Sequence, residues 1–231
     1  MEGLLVFLAI AGMIAFMGVM IYWSHVVQKK RTAGFEEQAQ QLGLHFVDDP
    51  ASQAYSQFDG FKLFNRGRSR KIRNLIEGDS GDVKISIFDY SFMTGSGKNK
   101  RSHNQTVIAL QSHLLNCPEF SMRPEGFFDK IGGALGFQDI NFDTHPEFSK
   151  LFVLKGPDET AIRSYFAPTV LEYFEGHAGN SLEGDGQTMF FYRSNLCRKP
   201  EELKDMLSEA YEAYGVLTDA CLLYTSPSPR D

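Results

Sequence analysis

The chain has 231 residues, 23 Lys+Arg against 29 Asp+Glu, and a net charge of −6. Its 20 phenylalanines and 13% aromatic content argue for a packed core rather than disorder. Outside the last eleven residues there are two cysteines, Cys117 and Cys197, far apart and in no C-x-x-C pattern. That excludes a disulfide framework and a thiolate zinc site; no metal and no cofactor is expected.

The charge is unevenly spread. Residues 1–103 carry 13 Lys/Arg and 10 Asp/Glu, a net of +3, whereas residues 104–231 carry 10 and 19, a net of −9. An acidic chain argues against nucleic acid as a partner.

"GLLVFLAIAGMIAFMGVMIYW", Gly3 to Trp23, has no charged residue. As a helix it would be about 31 Å long, the thickness of a bilayer's hydrocarbon core. Tyr22 and Trp23 suit the headgroup level at its end. A cleaved signal would have a basic start, a shorter core and small residues at its end, and none is present. Residues 1–24 are therefore predicted to be a transmembrane anchor. Lys29, Lys30 and Arg31 lie just beyond it, so the positive-inside rule places the C-terminal side in the cytoplasm and the short N-terminus outside.

Residues 25–44 read as a juxtamembrane amphipathic helix, with Phe35, Ala39 and Leu42 on one stripe and Gly43 as its stop. Residues 45–220 read as one cytoplasmic domain. Strands are predicted from Leu44 to Val47, at "FKLFN" (61–65), at "DVKISIFDYSF" (82–92) and at "QTVIALQS" (105–112). The 82–92 strand is apolar on both faces: Val83, Ile85 and Ile87 on one, Phe88, Tyr90 and Phe92 on the other. A long loop, "MTGSGKNKRSHN", joins it to its return strand.

Further along, "GFFDKIGGALGF" (126–137) suggests a short helix and "FSKLFVLKG" (148–156) a strand. Asp158 is placed to cap a helix that Pro168 must kink or split. "GQTMFFYRS" (186–194) is a strand. Pro200, with Glu201 and Glu202 behind it, opens a last helix. Its buried stripe is predicted to be Leu203, Leu207, Ala210, Tyr214 and Leu217. Strands and helices do not alternate as βαβ units, so the fold class is α+β: an antiparallel sheet with packed helices behind a transmembrane helix.

Cys221 to Asp231, "CLLYTSPSPRD", match the translation of a sequencing-library adapter at every position. They are expected to be foreign to the natural protein and are set aside, as a fusion scar would be.

The run "LIEGDSGDVKISIFDYSFMTGSGKNKRSHNQTVIAL", with the later "FSMRPEGFF" and "DINFDTHPEFSKLFVLKGPDETAIRSYF", resembles an uncharacterised family of bacterial membrane-anchored hypothetical proteins. That family has an FDY-x-[FY]-x-TGSGK core, and the resemblance covers roughly residues 60–215. It implies the anchored architecture and, as the family has no assigned activity, no mechanism.

Three features invite chemistry. "GSGK" (95–98) suggests a phosphate loop, but Phe92 stands where the motif's first glycine belongs, Asn99 stands where Ser or Thr would bind magnesium, and a strand follows instead of a helix. A flexible hairpin loop is the better reading. Two basic clusters, Arg66, Arg68, Arg70, Lys71 and Arg73, then Lys98, Lys100 and Arg101, read as solvated loops, or as contacts to anionic lipid or to an acidic partner. Asp143, two residues before His145, could orient a base or hold a metal, but a turn or cap role before Pro146 is the better reading. Asp89, in an apolar strand, is either a buried hydrogen-bonded carboxylate or an edge residue.

These readings converge on a single-pass protein of the bacterial inner (plasma) membrane whose cytoplasmic domain binds a protein or lipid partner. The alternative is a membrane-tethered hydrolase-like enzyme using Asp89, Asp143 or His145.

Overall fold

The structure is a computed structural model that describes residues 2–48, 50, 57–126 and 137–225. It opens with one continuous helix, α1 (Glu2–Leu42). The predicted anchor and juxtamembrane helix are therefore not separate pieces; nothing in "SHVVQKKRTAG" (24–34) breaks the helical hydrogen-bonding. The first half of α1 is bare: Phe16 is 67% and Trp23 68% exposed, so it is no core helix of the domain. It is the one helix among the described residues that is long and apolar enough to cross a membrane. The second half turns Phe35 and Ala39 into the core.

Eight antiparallel strands form one sheet in the order β1-β2-β3-β4-β8-β7-β5-β6. They are β1 (His45–Val47), β2 (Arg68–Ser80), β3 (Val83–Thr94), β4 (Arg101–Gln111), β5 (Cys117–Pro124), β6 (Phe152–Lys155), β7 (Ser181–Gly186) and β8 (Thr188–Tyr192). Helices α2 (Pro146–Leu151), α3 (Glu159–Tyr165), α4 (Pro168–Gly176) and α5 (Leu203–Thr225) complete it. The α+β class predicted from the sequence is the class observed.

The alternation in β3 builds two cores. Val83, Ile85 and Ile87 enter the helix-covered one, with Phe35, Phe148, Phe174 and Leu217. Phe88, Tyr90 and Phe92 enter a second core on the opposite face, with Phe190 and Tyr192. Among the described residues, no helix closes this second core. A turn-rich strap, residues 57–66, lays Phe58, Phe61, Leu63 and Phe64 over it. Phe61 meets Phe190 edge-on at 4.4 Å between ring centroids. "FKLFN" is therefore not a strand; its apolar residues are spaced by turns that fold the rings onto the sheet.

Other differences are local. Residues 68–73, read as loop, begin β2, and the predicted 148–156 strand divides into α2 and β6, because Pro146 opens a helix. β5 and β7 went unpredicted. The helix expected at 126–137 falls almost wholly on residues 127–136, outside the described residues, as do 226–231 of the tail; α5 itself runs to Thr225. Pro168 does end α3 and open α4, and the Asp158 carboxylate accepts from the Ala161 N–H at 2.9 Å. Before α5, the Glu202 carboxylate accepts from the Lys199 N–H at 2.9 Å. In α5 the predicted stripe is buried except Leu207, which is half-buried; Met206 and Ala213 join it.

Candidate functional site

The inward row of β3 runs Val83, Ile85, Ile87 and then Asp89, so a carboxylate stands where the apolar row ends. Arg31 on α1 crosses above it. Its Nε donates to Asp89 Oδ2 at 2.6 Å and its Nη2 to Oδ1 at 2.7 Å, a two-pronged pairing with side chains only 18% and 14% exposed. Asn74 Nδ2 donates to Oδ2 at 2.8 Å, and the Thr106 hydroxyl to Oδ1 at 3.0 Å. Each carboxylate oxygen thus accepts two hydrogen bonds, which fills its ordinary capacity.

The rest of the network is equally closed. Thr106 Oγ1 accepts from Arg31 Nη2 at 3.3 Å and from the Arg198 N–H at 2.9 Å. Thr32 on α1 donates to Asn74 Oδ1 at 2.8 Å. Asn74 reaches both because β2 bulges between Arg73 and Ile76, with Asn74 at φ 51, a left-handed conformation that asparagine tolerates. The Arg31 guanidinium also stacks 5.0 Å from the Phe35 ring. Burial lowers its pKa, but Asp89's hydrogen bonds and charge outweigh that and raise it overall. Cys197 lies nearby; burial, then the Asp89 charge, push its thiol up, which keeps it protonated and unactivated. The arrangement clamps α1 to the sheet, and Asp89 has no lone pair left to act as a base.

The other hydrolytic candidates lie elsewhere. His145 precedes α2, and its Nδ1 meets the Thr144 hydroxyl at 3.0 Å. Asp143 is exposed, and no hydrogen bond among the described residues joins it to His145. Their neighbour β6 is five strand positions from β3, about 24 Å at ordinary spacing. Among the described residues, no three His, Cys, Asp or Glu side chains gather closely enough for a metal ion.

The "TGSGK" motif is a hairpin. A 3-10 turn at Gly97–Asn99 joins β3 to β4. Gly95 has φ 71, and a Cβ there would collide with the Asn99 carbonyl. Thr94 and Asn195 hold the two ring nitrogens of buried His103, each at 2.8 Å. Of the basic residues, Arg68, Arg70, Lys71, Arg73, Lys98, Lys100 and Arg101 are exposed, and Arg66 is half-buried beside Glu183. The pairings Arg68 with Met93 and Thr94 with Arg101 bring both clusters to one end of the sheet.

The sequence reading missed Glu183, which is 2% exposed in the strap-covered core. It accepts from the Leu63 N–H at 2.9 Å and from the Tyr192 hydroxyl at 3.0 Å. Burial raises its pKa against the pull of those donors and of Arg66 and Lys62. The signal was a lone Glu in "NSLEGDG", with too few apolar neighbours to read as a strand.

A cleft of about 770 Å³ opens between α1 and the start of α5, lined by Lys30, Glu37, Gln41, Lys199, Glu201 and Asp205 among others. Gly34 forms the neighbouring contact; a Cβ there would stand 2.7 Å from the Pro200 ring.

Fold and site define an antiparallel α+β domain clamped to the C-terminal half of a helix whose apolar N-terminal half fits a membrane anchor. No protein-family model and no curated protein matches the chain. Among solved structures it is similar in fold to the mycobacterial trehalose monomycolate transport factor A, TtfA. The two share 10% sequence identity at a TM-score of 0.58, over 86% of this chain and 98% of that one.

Proposed function

We propose that the chain is a single-pass protein of the bacterial inner membrane, N-terminus outside, whose cytoplasmic domain is a non-enzymatic binding module for a membrane-associated partner. The observation that carries this reading is the Arg31–Asp89 clamp: it makes the domain an extension of the anchor helix, not a body on a slack tether. A module that must meet its partner in a set orientation needs that coupling; a tethered enzyme with a diffusing substrate does not. The saturated Asp89 and the separated Asp143 and His145 leave the hydrolase alternative without an assembled site. The fold neighbour is described as a transport factor, and an accessory role in a membrane process is the same class of function.

The test has two arms. A green fluorescent protein fusion after Asp219 should fluoresce and an alkaline phosphatase fusion there should be inactive; the reverse pattern refutes the orientation. In a deletion strain with a measurable defect, Asp143→Asn and His145→Ala should complement fully, while a chain starting at residue 24 should not. Loss of complementation by a folded Asp143→Asn or His145→Ala variant would return the enzyme reading.

A further inference from the structure

We propose that the β2–β3–β4 end of the sheet is a surface for anionic lipid headgroups of the leaflet next to the domain. The inference rests on the anchor reading above and adds the ligand class.

The sheet is electrically polar along its strands. From Arg66 to Ile76 and from Tyr90 to Thr106 there is no Asp or Glu, while Arg68, Arg70, Lys71, Arg73, Lys98 and Lys100 are exposed there. The opposite end carries Glu77, Asp79, Asp82 and Asp185 against one cation, Lys84, which pairs across from Asp79. A sheet net positive at one end and net negative at the other has a preferred orientation at a charged surface.

Contacts with α1 fix which end faces the apolar half of that helix. Thr32 meets Asn74, and further along the chain Leu44 lies where a side chain on Gly78 would meet it. As α1 leaves its apolar half, β2 therefore runs with it, and residues 73 back to 68 run the other way, toward Trp23. From Asn74 to Arg68 is about 20 Å of strand. From Arg31 back to Trp23 is about 12 Å of helix. Allowing for the angle between them, the basic end reaches the level of Tyr22 and Trp23, where headgroups lie. Lys71 and Arg73 share the sheet face of Asp89, so they flank α1 where it emerges.

Charge and position agree on the occupant. A protein partner could meet these cations at any height, but a leaflet is the surface that the clamp brings to them without a further binding step. Each cation near an anionic leaflet adds attraction, which salt screens within a Debye length. The surrounding −9 of the second half of the chain keeps the rest of the domain from adhering.

The full chain, reconstituted in nanodiscs, tests this. An environment-sensitive dye is attached through Ser96→Cys in a Cys197→Ser, Cys221→Ser background, with headgroup-spin-labelled lipid as quencher. Quenching should be roughly twofold stronger with phosphatidylglycerol than with phosphatidylcholine and should fall to the neutral level near 1 M salt, where screening acts over about 3 Å. A dye at Ser80→Cys, at the acidic end, should be quenched in neither. Replacing these six cations and the neighbouring Arg101 by Gln should abolish the difference, and the salt arm reads the same quantity without those substitutions. Equal quenching in both lipids, or a difference that survives 1 M salt, overturns the proposal. Both nanodisc leaflets are alike, so this outcome is independent of which way the chain inserts in cells.

Discussion

Each face of the sheet holds a carboxylate largely out of solvent, Asp89 on one and Glu183 on the other, and the two are treated differently. On the helix face, Asp89 meets a guanidinium head-on and two neutral donors besides, so its charge is matched where it sits. On the strap face, Glu183 has an amide N–H and a phenol, with Arg66 and Lys62 acting only from further off. A matched pair serves as a joint, because its two-pronged geometry fixes both partners. An unmatched buried carboxylate is a liability that grows as it ionises. The lesson is where rigidity was needed: the ion pair joins the long apolar helix to the domain, while the strap is held by phenylalanine packing.

The largest effect should come from that packing. Phe64 is fully buried against Phe58, Phe88, Tyr90 and Phe190. Phe64→Ala should destabilise the detergent-solubilised chain by about 3–5 kcal/mol in denaturant titration. A loss below about 1 kcal/mol would show that the strap is an appendage, and the comparison of faces would collapse. Asp89→Ala should lose somewhat less, about 2–4 kcal/mol, because Arg31 is left part-buried and unpaired. Replacing both, Arg31→Leu with Asp89→Leu, should recover most of the stability, as buried pairs often tolerate an apolar exchange. If the double variant is as unstable as the single one, the clamp's worth lies in the wider Asn74–Thr106 network rather than in the ion pair.

Much of this was legible in the sequence. β3 is readable because both its faces are apolar, and Asp89 because a charge in such a row needs a reason. Pro168 and Asp158 act locally, so their effects could be placed to the residue. The clamp was not legible: Arg31 and Asp89 are 58 positions apart, and Arg31 already had a sufficient explanation as a membrane-flanking cation. β2 was hidden because its first half is Arg, Ser and Lys; Ile72 alone faces a core there, and hydrogen bonds to β3 rather than apolar alternation make it a strand. The strap misled in the opposite way. "FKLF" is apolar enough for a strand, but its residues are used as turn-borne plugs whose facing aromatic rings, Phe88, Tyr90 and Phe190, lie more than twenty residues away.

The smallest and most discriminating effect is pH-dependent. Burial raises the Glu183 pKa in the folded state above its value in the unfolded chain. Over the interval between those two values the folded state holds the extra proton, so unfolding releases it and stability falls as pH rises. The contribution is fully present below the ordinary carboxylate range and lost once pH has passed the raised folded value. Glu183→Gln keeps a carbonyl oxygen for the Leu63 N–H, and the Tyr192 hydroxyl can turn to accept from the new amide. The variant should match the parent at acid pH and exceed it by about 1–2 kcal/mol at pH 8, where the folded parent must either hold a buried charge or take up a proton that the unfolded chain does not bind. Urea midpoints measured across pH 4–8 give both curves. Parallel curves would mean that Arg66 and Lys62 neutralise Glu183 as fully as Arg31 does Asp89, and that the two faces handle their carboxylates alike.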